Sequence, residues 1–456
     1  MHPVSSSRVA GSMIALCVAC AGPTLPSGVD TGQPASSSDA TSGGGTNVTP
    51  DPTTDSGANT DTTVGSSGGE PEVPVECAAG EGLCIASESA SLRCYCPEVL
   101  AGPADFRQAV LAVDVDADGY ADVIAGERTG ADENTRLIYF RGGAQGLEVA
   151  AEFAQLPGWL TAFAVGDLDE DGVLDLMIGT LGGADLTVLL SAGGPWPTTL
   201  TSITTGFEQA PRIGIGDVDD DAHLDLVTLA FSGIAVVDAV VWPGNGDGTF
   251  GAPVTTAAAP QAVNGWSTLH VDDFDQDGAD DVLALANRLL RGIAGGAGVL
   301  TEPLAVSLSG VPQFADADSD GHIDVLSFGY GGDHRPETIP VTVARGSGDA
   351  IFSNTHQWTF AGDESISGQW ADVDDDQALD VLLVAGPDES QQLFFARGDG
   401  AFGFPNALEP SLGTLAAFSS VAAVVDLTND GRADLLARTW PQEPDLKELV
   451  VYVAQP

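Results

Sequence analysis

Aspartates recur at positions 1, 3, 5 and 9 of a nonapeptide that the chain repeats seven times, with glycine at position 6 in five copies. The copies are DVDADGYAD (Asp114, Asp116, Asp118, Asp122), DLDEDGVLD (Asp167, Asp169, Asp171, Asp175), DVDDDAHLD (Asp217, Asp219, Asp221, Asp225) and DFDQDGADD (Asp273, Asp275, Asp277, Asp281). DADSDGHID (Asp316, Asp318, Asp320, Asp324), DVDDDQALD (Asp372, Asp374, Asp376, Asp380) and DLTNDGRAD (Asp426, Asp430, Asp434) complete the set. Alternate carboxylates on a tightly turning backbone converge on one point, and a hard cation such as calcium takes about six to eight oxygens there. A carbonyl near position 7 can add to the set. Glycine at position 6 supplies the positive φ that the reversal needs. The chemistry implied is the binding of up to seven calcium ions.

The loops must be held by strands. Each is followed by a short apolar run, such as ADVIAG, LDLMIG, LDLVTLA or IDVLSFG, of strand length and without a helical stripe. The flanking helices of an EF-hand are missing. Loop starts lie 43 to 56 residues apart, so the nonapeptide is a fixed part of a larger repeating unit. The copies differ in one respect that bears on binding. Ala222 and Gln377 replace the glycine and Thr428 replaces a carboxylate, so the loops at Asp217, Asp372 and Asp426 are expected to bind more weakly than those at Asp114, Asp167, Asp273 and Asp316.

Composition limits the partners. Of 66 acidic residues, 27 occupy liganding positions (seven loops of four, less Thr428), which accounts for much of the formal charge of −51. Such a chain repels phosphate backbones and anionic lipid, and its 15 basic residues form no run. Nucleic acid is therefore not an expected partner; a glycan or an extracellular protein is, with the chain itself a monomer.

The first hundred residues speak of export. Arg8 precedes an apolar stretch, residues 9–19, of signal-peptide length and too short to span a bilayer. It ends at Cys20, which follows Ala19 and precedes Ala21 and Gly22. This resembles the lipobox of bacterial lipoproteins and implies lipidation at Cys20 and a place at the bacterial cell surface or outer membrane; ordinary cleavage, with secretion or a periplasmic location, is the alternative. Residues 21–75 are Ser, Thr, Gly, Pro and Asp with little apolar surface to bury, which predicts a disordered tether. In residues 76–105, Cys77, Cys84, Cys94 and Cys96 suggest two disulfides in an exported protein, Cys94 and Cys96 each pairing with Cys77 or Cys84; a four-thiolate zinc site is the alternative.

Residues 106–456 offer seven units of about four strands each, which predicts an all-β, seven-bladed β-propeller of four-stranded antiparallel blades. The units resemble the FG-GAP repeats of integrin α-subunits and the related VCBS repeats of bacterial surface proteins. The nonapeptide followed by a strand, NGDGTFGAP at 245–253 and the partial GDGAFGFP at 398–405 carry the resemblance. It implies calcium loops between the first and second strands of each blade that brace the sheet and leave the partner to be bound elsewhere. The last unit has three clear strands, so a segment within residues 86–105 is expected to pair beside residues 449–453 and close the ring.

Strand direction puts loops and Gly-rich turns on one face and leaves the other for binding. Arg128, Arg136, Trp159, Arg212, Trp266, Arg288, Tyr330, His334, Arg335 and Trp440 fall in segments of that other face. No HExxH, GxSxG, Walker A or dinucleotide motif occurs, so no catalytic residue is assigned. The tripeptide Arg397-Gly398-Asp399 and the Gly-rich run at 292–298 read as repeat turns. A non-enzymatic, calcium-stabilised binding or adhesion module is the expectation; a polysaccharide-active propeller enzyme is the alternative, for which Tyr330, His334 and Arg335 offer proton-transfer chemistry.

Overall fold

The computed structural model describes residues 83–86, 92–104 and, with short interruptions, 110–454. The stretch read as signal and lipobox, the tether and Cys77 lie outside the described residues. All described residues belong to one compact unit and none is helical.

The described strands form seven antiparallel sheets. Six have four strands in sequence order, and their first strands are Val110–Val113, Trp159–Gly166, Ile213–Gly216, Leu269–Asp272, Val311–Ala315 and Ser365–Ala371. After their opening aspartate, second strands are largely apolar because both faces of each sheet are covered. Asp281–Ala284 and Asp324–Phe328 are buried at every residue.

The covering is done by neighbouring sheets in cyclic order. Leu111 and Tyr139 of the first sheet pack with Phe163 and Ile178 of the second. The second meets the third through Met177 and Leu226, the third meets the fourth through Val227 and Val282, and the fourth meets the fifth through Leu283 and Val325. Leu326 and Leu383 join the fifth to the sixth, and Leu382 and Leu435 the sixth to the seventh. Val123 and Phe140 of the first sheet then pack with Leu436 and Val451 of the last. Seven sheets joined by seven inter-sheet cores that return to the start make a seven-bladed propeller.

The last blade is closed by the other end of the chain. Phe418–Val425, Asp434–Trp440 and Lys447–Ala454 are joined by Leu92–Ala104, with Cys96 opposite Val453 and Ala101 opposite Leu449, and then by Leu83–Ala86 at the edge. Cys84 stands directly opposite Cys94 in the outer pair, and Cys96 is disulfide-bonded.

Candidate cation-binding loops

Every nonapeptide lies between the first and second strands of its blade, and its ninth residue opens the second strand. These seven aspartates are at most 1% exposed: Asp122, Asp175, Asp225, Asp281, Asp324, Asp380 and Asp434. A buried carboxylate needs donors, and the backbone supplies them. Oδ2 of Asp122 accepts from Val115 N at 2.9 Å and Oδ1 from Gly142 N at 2.7 Å. In Asp324 the donors are Ala317 N and Gly346 N, each at 2.9 Å. Asp175, Asp225, Asp380 and Asp434 repeat the pattern. Position 9 thus ties the loop to the end of the third strand. In the fourth blade only Gly292 N donates, to Oδ1 of Asp281 at 3.0 Å, and Oδ2 is buried without a partner.

A residue at or near the end of the third strand is held just as closely. A Cβ at Gly142, Gly244, Gly346 or Gly398 would meet the carbonyl oxygen at loop position 8 at 2.0 to 2.3 Å. This explains the glycine that the sequence repeats there.

The remaining aspartates divide the work. At position 1, Asp316 accepts from Asp320 N at 3.0 Å and from Gly321 N at 2.9 Å, and at position 5 Asp320 accepts from His322 N at 2.9 Å. Both shape the turn. Position 3 is different: Oδ1 of Asp116, Asp169, Asp219, Asp275 and Asp318 is buried and accepts no hydrogen bond, and Thr428 Oγ1 at the same position is in the same state. Oxygens from positions 1, 3 and 9 lie within 4.8 Å of one another in the first four loops, and from positions 1, 3 and 5 in the fifth. Buried oxygens with no donor, converging with two more carboxylates, are the donor set of a hard cation, so the residues fit one.

Without such a charge the site opposes ionisation. Burial first, then neighbouring aspartates, raise the carboxyls of Asp122, Asp175 and Asp324 to about 6, Asp225 and Asp380 to about 7 and Asp281 to about 8.

Position 6 has positive φ in all seven loops, including Ala222 at 73° and Gln377 at 72°. Their amides still bond Asp217 and Asp372, each at 2.9 Å. The replaced glycines therefore leave the loop geometry in place and add backbone strain. Position 4 is also left-handed, with no glycine there, as at Ala117, Glu170 and Ser319. No residue type marked it in the sequence.

Gly-rich turns share the face of the loops and dock on the preceding blade. Gly248 N bonds Leu168 O at 2.9 Å and Ala350 N bonds Phe274 O at 3.1 Å. The run at 292–298 grips the third loop through Ile293 N on Val218 O (3.0 Å) and Gly298 N on Asp219 Oδ2 (2.9 Å). In the Arg-Gly-Asp turn, Arg397 pairs with Asp374 at 3.3 Å, and Asp399 accepts from Ala401 N and Gly403 N at 2.9 and 2.7 Å. All three residues are used internally.

Of the residues assigned to the other face, Arg128 and Arg136 lie on facing strands beside the turn between the second and third strands of the first blade. Arg136 pairs with Glu127. Arg212 immediately precedes the inner strand of the third blade, and its carbonyl accepts from Leu229 N. Trp159, Arg288 and Trp440 lie in strands, with side chains outside the described set. Trp266, Tyr330, His334 and Arg335 lie outside the described residues altogether. The structure thus brings the aspartates together and leaves the other face largely undescribed.

Comparison with curated protein sequences gives no match. Among solved structures, the chain is similar to the exotype rhamnogalacturonan lyase YesX, at 15% identity over 84% of this chain and 75% of that one, TM-score 0.38. The rhamnogalacturonan lyase PL11 of Bacillus licheniformis gives 15%, the same coverages and 0.41. The WD40 domain of Toxoplasma gondii coronin gives 11%, 84% and 89%, and 0.42. The likeness is one of fold, and with polysaccharide lyases among the neighbours the expectation of a non-enzymatic binding or adhesion module is not kept. The physical reason is that a propeller scaffold does not separate binding from catalysis, and groups brought together from different blades need leave no contiguous motif. A family model described as an FG-GAP-like repeat matches residues 114–178 and 372–437, each spanning a loop and the strand after it. These two stretches are thus similar to FG-GAP-like repeats, and the same loop, strand and Gly-rich turn recur around the ring.

Proposed function

We propose that the chain is an exported, calcium-braced propeller that acts on a polysaccharide. The observation that supports the brace is the buried, donorless Oδ1 at position 3 in five loops. Calcium there neutralises carboxylates that otherwise repel, and ties the inner strand of each blade to its neighbour. The ions have a structural role, and polysaccharide chemistry belongs to the face opposite the loops. Rhamnogalacturonan is the substrate to try first.

The brace is tested by melting the protein with calcium and with chelator: a Tm several degrees higher in calcium supports it, and equal Tm values remove the assignment. The activity is tested on rhamnogalacturonan by the appearance of unsaturated products, with Tyr330→Phe and His334→Asn as variants. Depolymerisation that both variants weaken supports the reading; no product from a panel of acidic polysaccharides overturns it. The same reading places lipid on Cys20 and disulfides at Cys84–Cys94 and Cys77–Cys96, the first because those residues face each other across two strands. Fatty-acid labelling lost in Cys20→Ala and non-reducing peptide mapping test these.

A further inference from the structure

Four arginines stand at or next to the ends of third strands, immediately before the glycine that meets loop position 8. Each turns its guanidinium back into the acidic loop of its own blade. Arg141 donates to Asp116 Oδ2 at 2.7 Å and to Asp118 Oδ2 at 2.8 Å. Arg345 pairs with Asp318 and Asp320 at 2.5 and 2.8 Å, Arg291 with Asp275 at 3.0 Å and Arg397 with Asp374 at 3.3 Å.

In the first and fifth loops the guanidinium takes Oδ2 of the position-3 aspartate, while Oδ1, buried in a side chain only 4% and 3% exposed, keeps no partner. One oxygen is held by the fixed cation and the other points to where a free one would sit. In the second and third blades the corresponding residues are Leu190 and Pro243. Among the described residues no guanidinium pairs with the carboxylates of those loops, although Asp219 Oδ2 accepts from the neutral Gly298 N.

We infer that these arginines are built-in counter-cations that divide six of the seven loops into two classes. Loops at Asp114, Asp273, Asp316 and Asp372 keep their fold when the metal leaves; loops at Asp167 and Asp217 require it. The guanidinium offsets carboxylate repulsion permanently and orients the position-3 ligand, as outer-shell partners do at metal sites. The inference rests on the calcium reading and reorders the loops by arginine, where the sequence ranked them by glycine.

Hydrogen exchange with mass spectrometry on the full chain tests it, in calcium and in chelator, for wild type, Arg345→Gln and Arg345→Lys. Chelation should speed exchange in residues 168–175 and 218–225 by about tenfold or more, and in 115–122 and 317–324 by less than about threefold. Arg345→Gln should move 317–324 into the sensitive class, and Arg345→Lys, which keeps the charge, should restore much of the protection. Equal deprotection of all loops, or an unchanged response of 317–324 in Arg345→Gln, overturns the arginine inference and leaves the calcium reading standing. No response to chelator in any loop of wild type or variant overturns both.

Discussion

Each aspartate of the loop has its own electrostatic position, and the consequences are separable. Positions 1 and 5 accept backbone amides, position 9 clamps a strand, and position 3 is left for a cation. With chelator present, the position-9 carboxyls have folded-state values raised above the unfolded value of about 3.9. The native state then holds more protons than the unfolded state, so stability is greatest below about pH 4 to 5 as far as these groups decide it. It falls as pH rises to about 8. Denaturant midpoints in chelator should therefore drop between pH 5 and pH 8, whereas calcium, which favours the ionised form, should flatten or reverse the trend. A chelated protein that gains stability over that range contradicts the burial of these groups. Position 6 gives a second residue-scale expectation. Ala222 and Gln377 hold positive φ, so Ala222→Gly and Gln377→Gly should each stabilise the protein by about 0.5–1 kcal/mol, measured by chemical denaturation.

At the scale of elements, the strand Leu92–Ala104 decides whether the ring closes. It pairs along Lys447–Ala454 and covers an edge that would otherwise present free amides and carbonyls to other chains. Removing residues 1–75 should leave a cooperative melt unchanged within about 1 kcal/mol, since none of the described contacts is lost. Removing residues 1–105 should abolish the single transition or cause aggregation, read by calorimetry and light scattering. A cooperative, monomeric product of the longer deletion would show that the fourth and fifth strands of this blade are dispensable. In the fifth blade the Cβ position of Gly346 lies 2.0 Å from Ile323 O, so there the third-strand terminus and the loop fit only through a glycine.

For the whole molecule, charge and ring geometry act together. Seven acidic loops stand on one face of a chain of formal charge −51. Without calcium their mutual repulsion is screened by salt, which shortens the Debye length from ~10 Å at 0.1 M to ~3 Å at 1 M. Adding sodium chloride to the chelated protein should raise Tm by several degrees, and adding it to the calcium-loaded protein should change Tm far less. Equal salt responses in the two states would mean that the loop carboxylates do not limit the stability of the ring.

The sequence by itself determined the loops, their number and the sheets they serve, because the aspartate spacing and the apolar runs after it are local patterns repeated in register. It also made the closing strand legible, since a blade one strand short must find a partner. It did not show the arginines at work: Arg141 and Asp116 are 25 residues apart, and only the hairpin of second and third strands brings them together. Nor did it show that position 9 is a clamp, because the donors from Gly142 and its equivalents belong to the far end of the same hairpin. Tertiary structure decided these points because they depend on which backbone amides and guanidinium groups meet a carboxylate once water has been excluded.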